Sequence, residues 1–204
     1  MMNSQCKRCR RVGEKLFLKG EKCYTPKCSL VRHPLKSKKG SKLSVYGRQL
    51  QEKQKIKLFY NIREAQLKRY YNLALKGKTS TPLKLAQILE SRFDTIIMRS
   101  GLSSSQSAAR QLVTHGHFLL NGRPHNIPST ILKPQDVITL KTRSAKLKIF
   151  EDLDNRLKNY KIPSYIKLER GDNKDLTITL LDTPKLEELS LPFDFTAVVE
   201  FYSR

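Results

Sequence analysis

Between Ser91 and Leu140 the spacing of apolar residues changes period, and the changes divide the stretch into elements. Leu89, Phe93, Ile96 and Ile97 recur at helical spacing. Gly101 ends that run, because glycine takes a left-handed cap without steric cost. Ser103 opens a second helix and fits a capping box with Gln106, which puts Gln106 at the exposed start of that helix. Ala108, Ala109, Leu112 and Val113 form its buried stripe, Arg110 and Gln111 fall off the stripe, and Gly116 closes the helix. From His117 the pattern is strand-like as far as Asn121-Gly122, a strong signal for a two-residue hairpin turn. Lys133-Pro134-Gln135-Asp136 is a further turn with proline pre-set for its second position, and Val137 to Leu140 is a short strand. The predicted unit is two short helices packed on a small β-ribbon.

Upstream, Ser44 caps a helix whose apolar surface comes from Tyr46, Leu50, Ile56, Phe59 and Tyr60. A second helix runs from about Ile62 through Leu67, Tyr70, Tyr71 and Ala74 to Gly77, and at this spacing its tyrosines read as core. Thr81-Pro82 starts a third, since proline is tolerated at a first helical position. Downstream, Lys146 to Tyr160 reads as helix from Phe150, Leu153 and Leu157. Leu176 to Leu181 alternates as a strand, with Asp172-Asn173 as turn material before it. Phe193, Phe195, Val198 and Phe201 supply apolar material for packing.

Charge changes the picture from fold to partner. The chain has 204 residues, room for two modest domains, with 40 Lys/Arg against 18 Asp/Glu and a formal net charge of +22. Residues 1–90 carry 23 basic and 5 acidic side chains, residues 91–145 carry 7 and 2, and residues 146–204 carry 10 and 11. A surplus this large implies a polyanion, either nucleic acid or an acidic membrane surface. No long apolar run and no signal peptide is present, so the chain reads as soluble and intracellular, without a membrane role. Lys36, Lys38, Lys39 and Lys42 make the stretch from Val31 to Lys42 a basic arm suited to phosphates. Ser103, Ser104, Ser105 and Gln106 offer donors at a helix N-terminus, and Arg110 adds a planar fork one turn on.

The four cysteines, Cys6, Cys9, Cys23 and Cys28, form C-x2-C, thirteen residues, then C-x4-C. In an intracellular chain such spacing indicates metal rather than disulfide. Four thiolates close one tetrahedral structural Zn2+ site with no position left for catalysis, and an iron–sulfur cluster is the alternative. Lys7, Arg8, Arg10, Lys22 and Lys27 would stabilise thiolate charge. Enzyme chemistry finds little support. Gly77-Lys78-Thr79 ends like a phosphate loop, but Asn72 stands where that motif needs glycine. The four histidines do not cluster with carboxylates, and no Ser/His/Asp set appears. No catalysis and no small-molecule substrate is predicted. A zinc-finger DNA regulator is disfavoured by Gly13, Gly20 and Pro26, which leave no long recognition helix between the cysteine pairs.

RQLVTHGHFLLNGRPHNIPS, from Arg110 to Ser129, followed by KPQDVITL, resembles the RNA-binding module named after small-subunit ribosomal protein S-four (S4). YGRQLQEKQKIKLFYNIREAQLKRYY, from Tyr46 to Tyr71, resembles the same family, and VEFYSR, from Val199 to Arg204, is similar to its ending. CKRCRRVGEKLFLKGEKCYTPKC, from Cys6 to Cys28, resembles its zinc-bearing, four-cysteine branch. The chain is thus identified as a member of the bacterial-type S4 family. Three positions depart from the family pattern: Gln106 stands where arginine is common, Ala108 where glutamine is, and Asn61 where glycine follows the tyrosine.

The resemblance implies an α+β fold. A zinc-knuckle basic segment occupies residues 1–43, and a mostly helical discontinuous domain, residues 44–90, is completed by the tail 180–204. Residues 91–179 form an inserted domain with the helix-helix-β-ribbon module at about 91–155. It implies a primary rRNA-binding protein that binds the 5′ domain of small-subunit rRNA and nucleates subunit assembly. The implied place is near the mRNA entry channel, beside ribosomal proteins S-three and S-five, with a part in translational accuracy. The implied location is the ribosome, in a bacterial cytoplasm or an organellar matrix or stroma. Candidate RNA contacts are Lys7, Arg8, Arg10, Arg11, Arg48, Lys53, Lys55, Arg69, Arg92, Gln111, His115, His117, Asn121 and Arg123, with the arm lysines, serines, Gln106 and Arg110 already named. The alternative is an accessory RNA binder or a fragment of an RNA-modifying enzyme carrying the same module, which would need a separate catalytic domain.

Overall fold

Ser44 holds an extended backbone and its side chain accepts the Gly47 N–H at 3.1 Å, which starts the longest helix of the protein among the described residues. The structure is a computed structural model that describes residues 4–34, 43–151, 153, 157, 160–171, 176–184 and 191–204. In chain order the elements are α1 (Ser4–Val12), a 3-10 turn (Gly20–Cys23), α2 (Ser29–Arg32), α3 (Val45–Phe59), α4 (Glu64–Leu75), α5 (Thr81–Glu90), α6 (Phe93–Arg99) and α7 (Gln106–Thr114). Then come β1 (Phe118–Leu120), β2 (Arg123–Pro124), β3 (Val137–Leu140), α8 (Thr142–Ala145), α9 (Lys148–Glu151), β4 (Ile166–Arg170), β5 (Leu176–Leu180) and α10 (Phe195–Tyr202). They fall into two compact units, Met1–Ala86 with Leu191–Arg204, and Gln87–Ser190.

In the first unit α10 packs on α3 and α4, and α1 packs on α2 and α3. Cys9, Val12, Leu16 and Leu18 form a small core against which Leu30, Leu58 and Phe193 pack. Phe193 meets Phe59 edge-on at 5.0 Å, Tyr46 lies 5.5 Å from Phe201, and Tyr71 lies 5.0 Å from Tyr202. Asn61 adopts φ 50°, and the Ile62 N–H reaches back to the Lys57 carbonyl at 3.0 Å. This is a left-handed helix stop, and asparagine tolerates it almost as well as the glycine of the family pattern. Ile62 is buried as part of that cap, so α4 begins at Glu64 rather than at Ile62.

In the second unit α6 packs on α7, and five antiparallel strands form one sheet in the order β2-β1-β3-β5-β4. Phe118 pairs with Leu140, Ile138 with Ile178 and Ile166 with Leu180, so one face of the sheet is buried. Asn121 and Gly122 have φ 49° and 78° between Leu120 and Arg123, as a two-residue primed turn requires. The fold class is α+β, with two short helices packed beside a small antiparallel sheet as expected. Three local expectations change. Ser105, not Ser103, caps α7, accepting the Ala108 N–H at 3.3 Å. Gln106 is buried, because it shares a helical face with Ala109 and Val113 at i+3 and i+7. The predicted ribbon continues into β5 and β4, and β4 carries charge at Lys167, Glu169 and Arg170, which hid it as a strand. The region after Lys146 holds the short α9 with Leu153 and Leu157 also helical, whereas Asp172-Asn173 lies outside the described residues.

Candidate nucleic-acid interface

Burial sorts the basic side chains of the first unit. Lys7, Arg8 and Arg11 are exposed on α1, and Arg48 is exposed on the first turn of α3. Arg10 is half-buried and donates from Nη1 to the His33 carbonyl at 2.8 Å, which ties α1 to the end of α2. Arg69 is exposed on α4 and shares a shallow groove with Ala65, Lys68, Asn72, Leu73 and Lys76. Lys68, Asn72 and Lys76 were not anticipated as donors. Their signal was available: they recur at i+4 on the face opposite Leu67, Tyr71 and Ala74. The arm lysines Lys36, Lys38, Lys39 and Lys42 lie outside the described residues.

Lys53 and Lys55 are corrected from surface donors to buried cations, 7% and 5% exposed. Lys53 Nζ lies 3.0 Å from Glu64 Oε1 and 4.0 Å above the Phe201 ring. Lys55 Nζ lies 2.6 Å from both Glu14 and Glu52. The reason is that α3 is covered by α10 and by α1, so few of its positions face water. Glu64 also accepts from Lys57 and from the Tyr202 hydroxyl. Partial burial opposes its charge, but the bonds from Lys57, Tyr202 and Lys53 hold its pKa at about 2.

The four cysteines line one small cavity, with Gln5, Lys15, Phe17, Leu18 and Lys19 among the other wall residues. All four are free thiols. Cys6 and Cys9 come from α1, Cys23 ends the 3-10 turn, and Cys28 is the N-cap of α2. Burial pushes the Cys9 and Cys23 thiols up, and neighbouring thiols add to the rise. Among the described residues no three His, Cys, Asp or Glu side chains are close enough to hold a metal as placed. The donor set suits a soft cation, but the thiols converge on the cavity without closing a ligand shell.

In the second unit Arg92 is corrected from an RNA contact to a fully buried side chain. It is the N-cap of α6, and its guanidinium grips Asp94 through two bonds of 2.9 and 2.6 Å. Burial pushes the Asp94 carboxyl up, and the Arg92 guanidinium opposes this. Arg110 reaches from α7 to within 3.7 Å of Asp94 while its side chain stays 36% exposed. Gln106, placed on the surface by the sequence pattern, instead donates to Thr95 Oγ1 at 3.1 Å. Ser103 is buried, Ser105 is half-buried as the cap, and Ser104 is exposed.

Gln111 and His115 are exposed beyond them, and Arg123 is exposed on the hairpin. His117 sits half-buried, its Nδ1 3.0 Å from Ser144 Oγ, and burial followed by the charges of His115 and Lys141 lowers its pKa. Asn121 is exposed, but its amide is engaged: Nδ2 donates to Asp136 at 2.9 Å and Oδ1 accepts the Val137 N–H at 2.8 Å. Asp136 in turn accepts the Lys133 N–H at 2.7 Å, so the two turns brace each other. Arg123, Lys133 and Arg143 are exposed and have no carboxylate partner among the described residues. Exposed cations without a carboxylate partner can take phosphate oxygens, a contact that positions a nucleic acid without reading its sequence.

Two family models match the sequence: Ribosomal protein S4/S9 N-terminal domain over residues 1–90, and S4 domain over residues 91–138. The chain is similar to small ribosomal subunit protein uS4 of Thermotoga petrophila, 42% identical over 204 residues that cover 98% of this chain and 96% of the relative. It is similar to uS4 of Ruminiclostridium cellulolyticum, 39% identical over 206 residues covering 99% and 98%. It is also similar to uS4A of Alkaliphilus metalliredigens, 39% identical over 203 residues covering 98% and 96%. No helix among the described residues is long and apolar enough to cross a membrane.

Proposed function

The chain belongs to the ribosomal protein S4 family, and from that premise we infer a structural component of the small ribosomal subunit that binds rRNA. The carrying observation is likeness to uS4 proteins along nearly the whole of both chains, together with Lys7, Arg8, Arg11, Arg48, Arg69 and Arg123 left exposed while Glu14, Glu64 and Glu90 are paired with cations. Relatives matched over 96% of their own length favour this reading over a fragment of an RNA-modifying enzyme. The role is non-enzymatic, and the site of action is the ribosome.

More finely, the protein binds the 5′ domain of small-subunit rRNA and nucleates assembly. Lys7, Arg8, Arg11, Arg48 and Arg69 neutralise phosphates on the first unit, and Arg110, Gln111, His115 and Arg123 on the second. Folded RNA is recognised by shape, backbone and 2′-OH contacts, which suits groups held on short rigid elements. Its neighbours are ribosomal proteins S-three and S-five and the mRNA at the entry channel, with an effect on decoding accuracy. The test is binding of the purified protein to the 5′ domain against a scrambled RNA of equal length, at about 200 mM salt, where non-specific binding is weak. A strong preference for the 5′ domain supports the reading, and equal weak binding overturns it.

One structural Zn2+ at Cys6, Cys9, Cys23 and Cys28 is part of the same proposal. Its support is the convergence of four free thiols on one cavity. Zinc would hold the thiols as thiolates and cross-link α1, the 3-10 turn and the start of α2. Chelation should expose the thiols to a thiol reagent. Reactivity that is the same with and without chelator would sink the metal site.

A further inference from the structure

We propose that Phe17 and Tyr24 form a platform on which an unpaired nucleobase of the bound RNA stacks. The proposal rests on the rRNA-binding reading above. The two rings lie 4.9 Å apart between centroids and 29° from parallel. Tyr24 is 76% exposed, so one face of its ring rests on Phe17 and the other meets solvent. Proteins receive bases extruded from RNA by stacking them on exposed aromatic side chains.

The backbone at Phe17 carries the second observation. Phe17 has φ 51°, a left-handed conformation that is a genuine outlier for a bulky residue. The kink is needed by its neighbours: Leu16 is 1% and Leu18 8% exposed, and both belong to the core with Cys9 and Val12. Glycine or asparagine would make that kink with less strain. Phenylalanine makes it with strain, and the residue is still 36% exposed beside Tyr24. The platform is fixed by local bonds, from Gly20 N–H to the Phe17 carbonyl at 3.1 Å and from Tyr24 N–H to the Glu21 carbonyl at 3.0 Å.

Charge selects the occupant. Residues 4–34 hold nine Lys/Arg against Glu14 and Glu21, and Lys15 and Lys19 stand in the cavity wall beside Phe17. A nucleobase brings a flat π-face together with flanking phosphates, which match the ring and the lysines. An apolar protein segment would cover those lysines without neutralising them. The base is unpaired because a base within a duplex has both faces already stacked.

The experiment uses the full-length protein and the 5′ domain of small-subunit rRNA. It compares wild type, Tyr24→Leu and Tyr24→Phe across a salt series. Loss of a stacked base weakens binding by about 5- to 150-fold. Tyr24→Leu should fall in that range, and Tyr24→Phe should bind like wild type. The slope of log affinity against log salt should stay unchanged in both, since no charge is removed. Ultraviolet cross-linking of the wild-type complex should give a nucleotide adduct on Tyr24 or Phe17. Equal affinity of Tyr24→Leu, or equal loss in Tyr24→Phe, overturns the platform while leaving the rRNA-binding reading intact. Unchanged RNA affinity with poorer incorporation into reconstituted small subunits would assign the rings to a protein neighbour and also overturns it. Wild type that fails to prefer the 5′ domain overturns the functional reading itself.

Discussion

Replacing Glu64 by glutamine should destabilise the first unit at neutral pH and remove an acid-sensitive part of its stability. Glu64 accepts from Lys53 at 3.0 Å, from Lys57 at 2.8 Å and from the Tyr202 hydroxyl at 2.7 Å. Its pKa lies at about 2 against an ordinary 4.5, so the folded state binds its proton more weakly than the unfolded chain does. The stability linked to that difference is fully present above about pH 4.5 and is lost as the pH falls toward 2. Unscreened, the depression corresponds to roughly 3 kcal/mol. The Glu64 side chain is 44% exposed, so screening by solvent reduces this to about 1 kcal/mol.

Lys53 sets the second part of the effect. Its side chain is only 9% exposed and its ammonium has Glu64 as its sole carboxylate partner among the described residues. Glutamine keeps an acceptor but removes the charge, which should cost about 1–2 kcal/mol at pH 7. Hydrogen exchange of the full-length protein is the assay, because it reads α4 and α10 separately from the second unit. Glu64→Gln should speed exchange in both helices at pH 7 and should flatten their protection between pH 5 and 2. The double variant Lys53→Met/Glu64→Gln should recover part of the loss, since a methionine on the Phe201 ring strands no buried ammonium at position 53, while Lys57 still loses its carboxylate. A Glu64→Gln protein with the same acid-side slope as wild type would refute the reasoning.

Other outcomes follow from single positions. Arg110→Ala should weaken rRNA binding several-fold with little change in melting temperature, because the side chain lies off the α7 stripe and is held only by a 3.7 Å charge contact; equal affinity in a folded variant removes Arg110 from the interface. Gly101→Ala should destabilise the second unit by about 1–3 kcal/mol in thermal unfolding, since φ is +80° and a Cβ would sit 2.8 Å from Leu157 Cδ2 and 2.9 Å from Tyr160 Cδ1. Asn121→Ala should loosen the hairpin by about 1–2 kcal/mol through two lost bonds, read as faster exchange at Val137, and a variant with unchanged exchange would count against the brace. Wild-type affinity for the rRNA should fall roughly 10^3- to 10^5-fold between about 50 and 200 mM salt if six to ten phosphates are contacted, and a flat response would contradict the electrostatic part.

Elements with local causes were legible in the sequence. Gly101, Gly116 and the Asn121-Gly122 pair were read as stops and turns, and all four take positive φ. Gln135 takes φ 73° behind Pro134, so the predicted proline turn also needs a left-handed second centre. Burial of charge was not legible, because it depends on distant partners. Lys55 is neutralised by Glu14 from 41 residues away, and Gln49 donates to Glu200 across 151. Nothing within α3 distinguishes Lys53 and Lys55 from the exposed Arg48. Arg92 and Asp94 are near neighbours in sequence, yet only the packing around α6 decides that both are sealed from water. Gln106 shows the reverse error: treating it as part of a cap hid its place on the same face as Ala109 and Val113.

The one-sided charge of the exposed surface is a product of folding as much as of composition. Up to residue 145 the chain has seven acids. Glu14 and Glu52 close on Lys55, Glu64 on Lys53 and Lys57, Glu90 on Arg99, and Asp94 on Arg92, while Asp136 is held by Asn121 and the Lys133 N–H. Glu21 alone has no ion pair or side-chain hydrogen bond among the described residues. Glu90 and Asp94 are sealed from water by these pairs, whereas Glu14 and Glu64 stay part-exposed and are balanced where they stand. Arg8, Arg48, Arg69 and Arg123 are left exposed and outside these pairs, which is the arrangement the proposed rRNA contacts need. The unfolded chain has the same formal charge but mixes its acids among its bases. The pairs that tie α3 to Glu14 and to α4 are thus also the ones that balance carboxylates in this half of the chain.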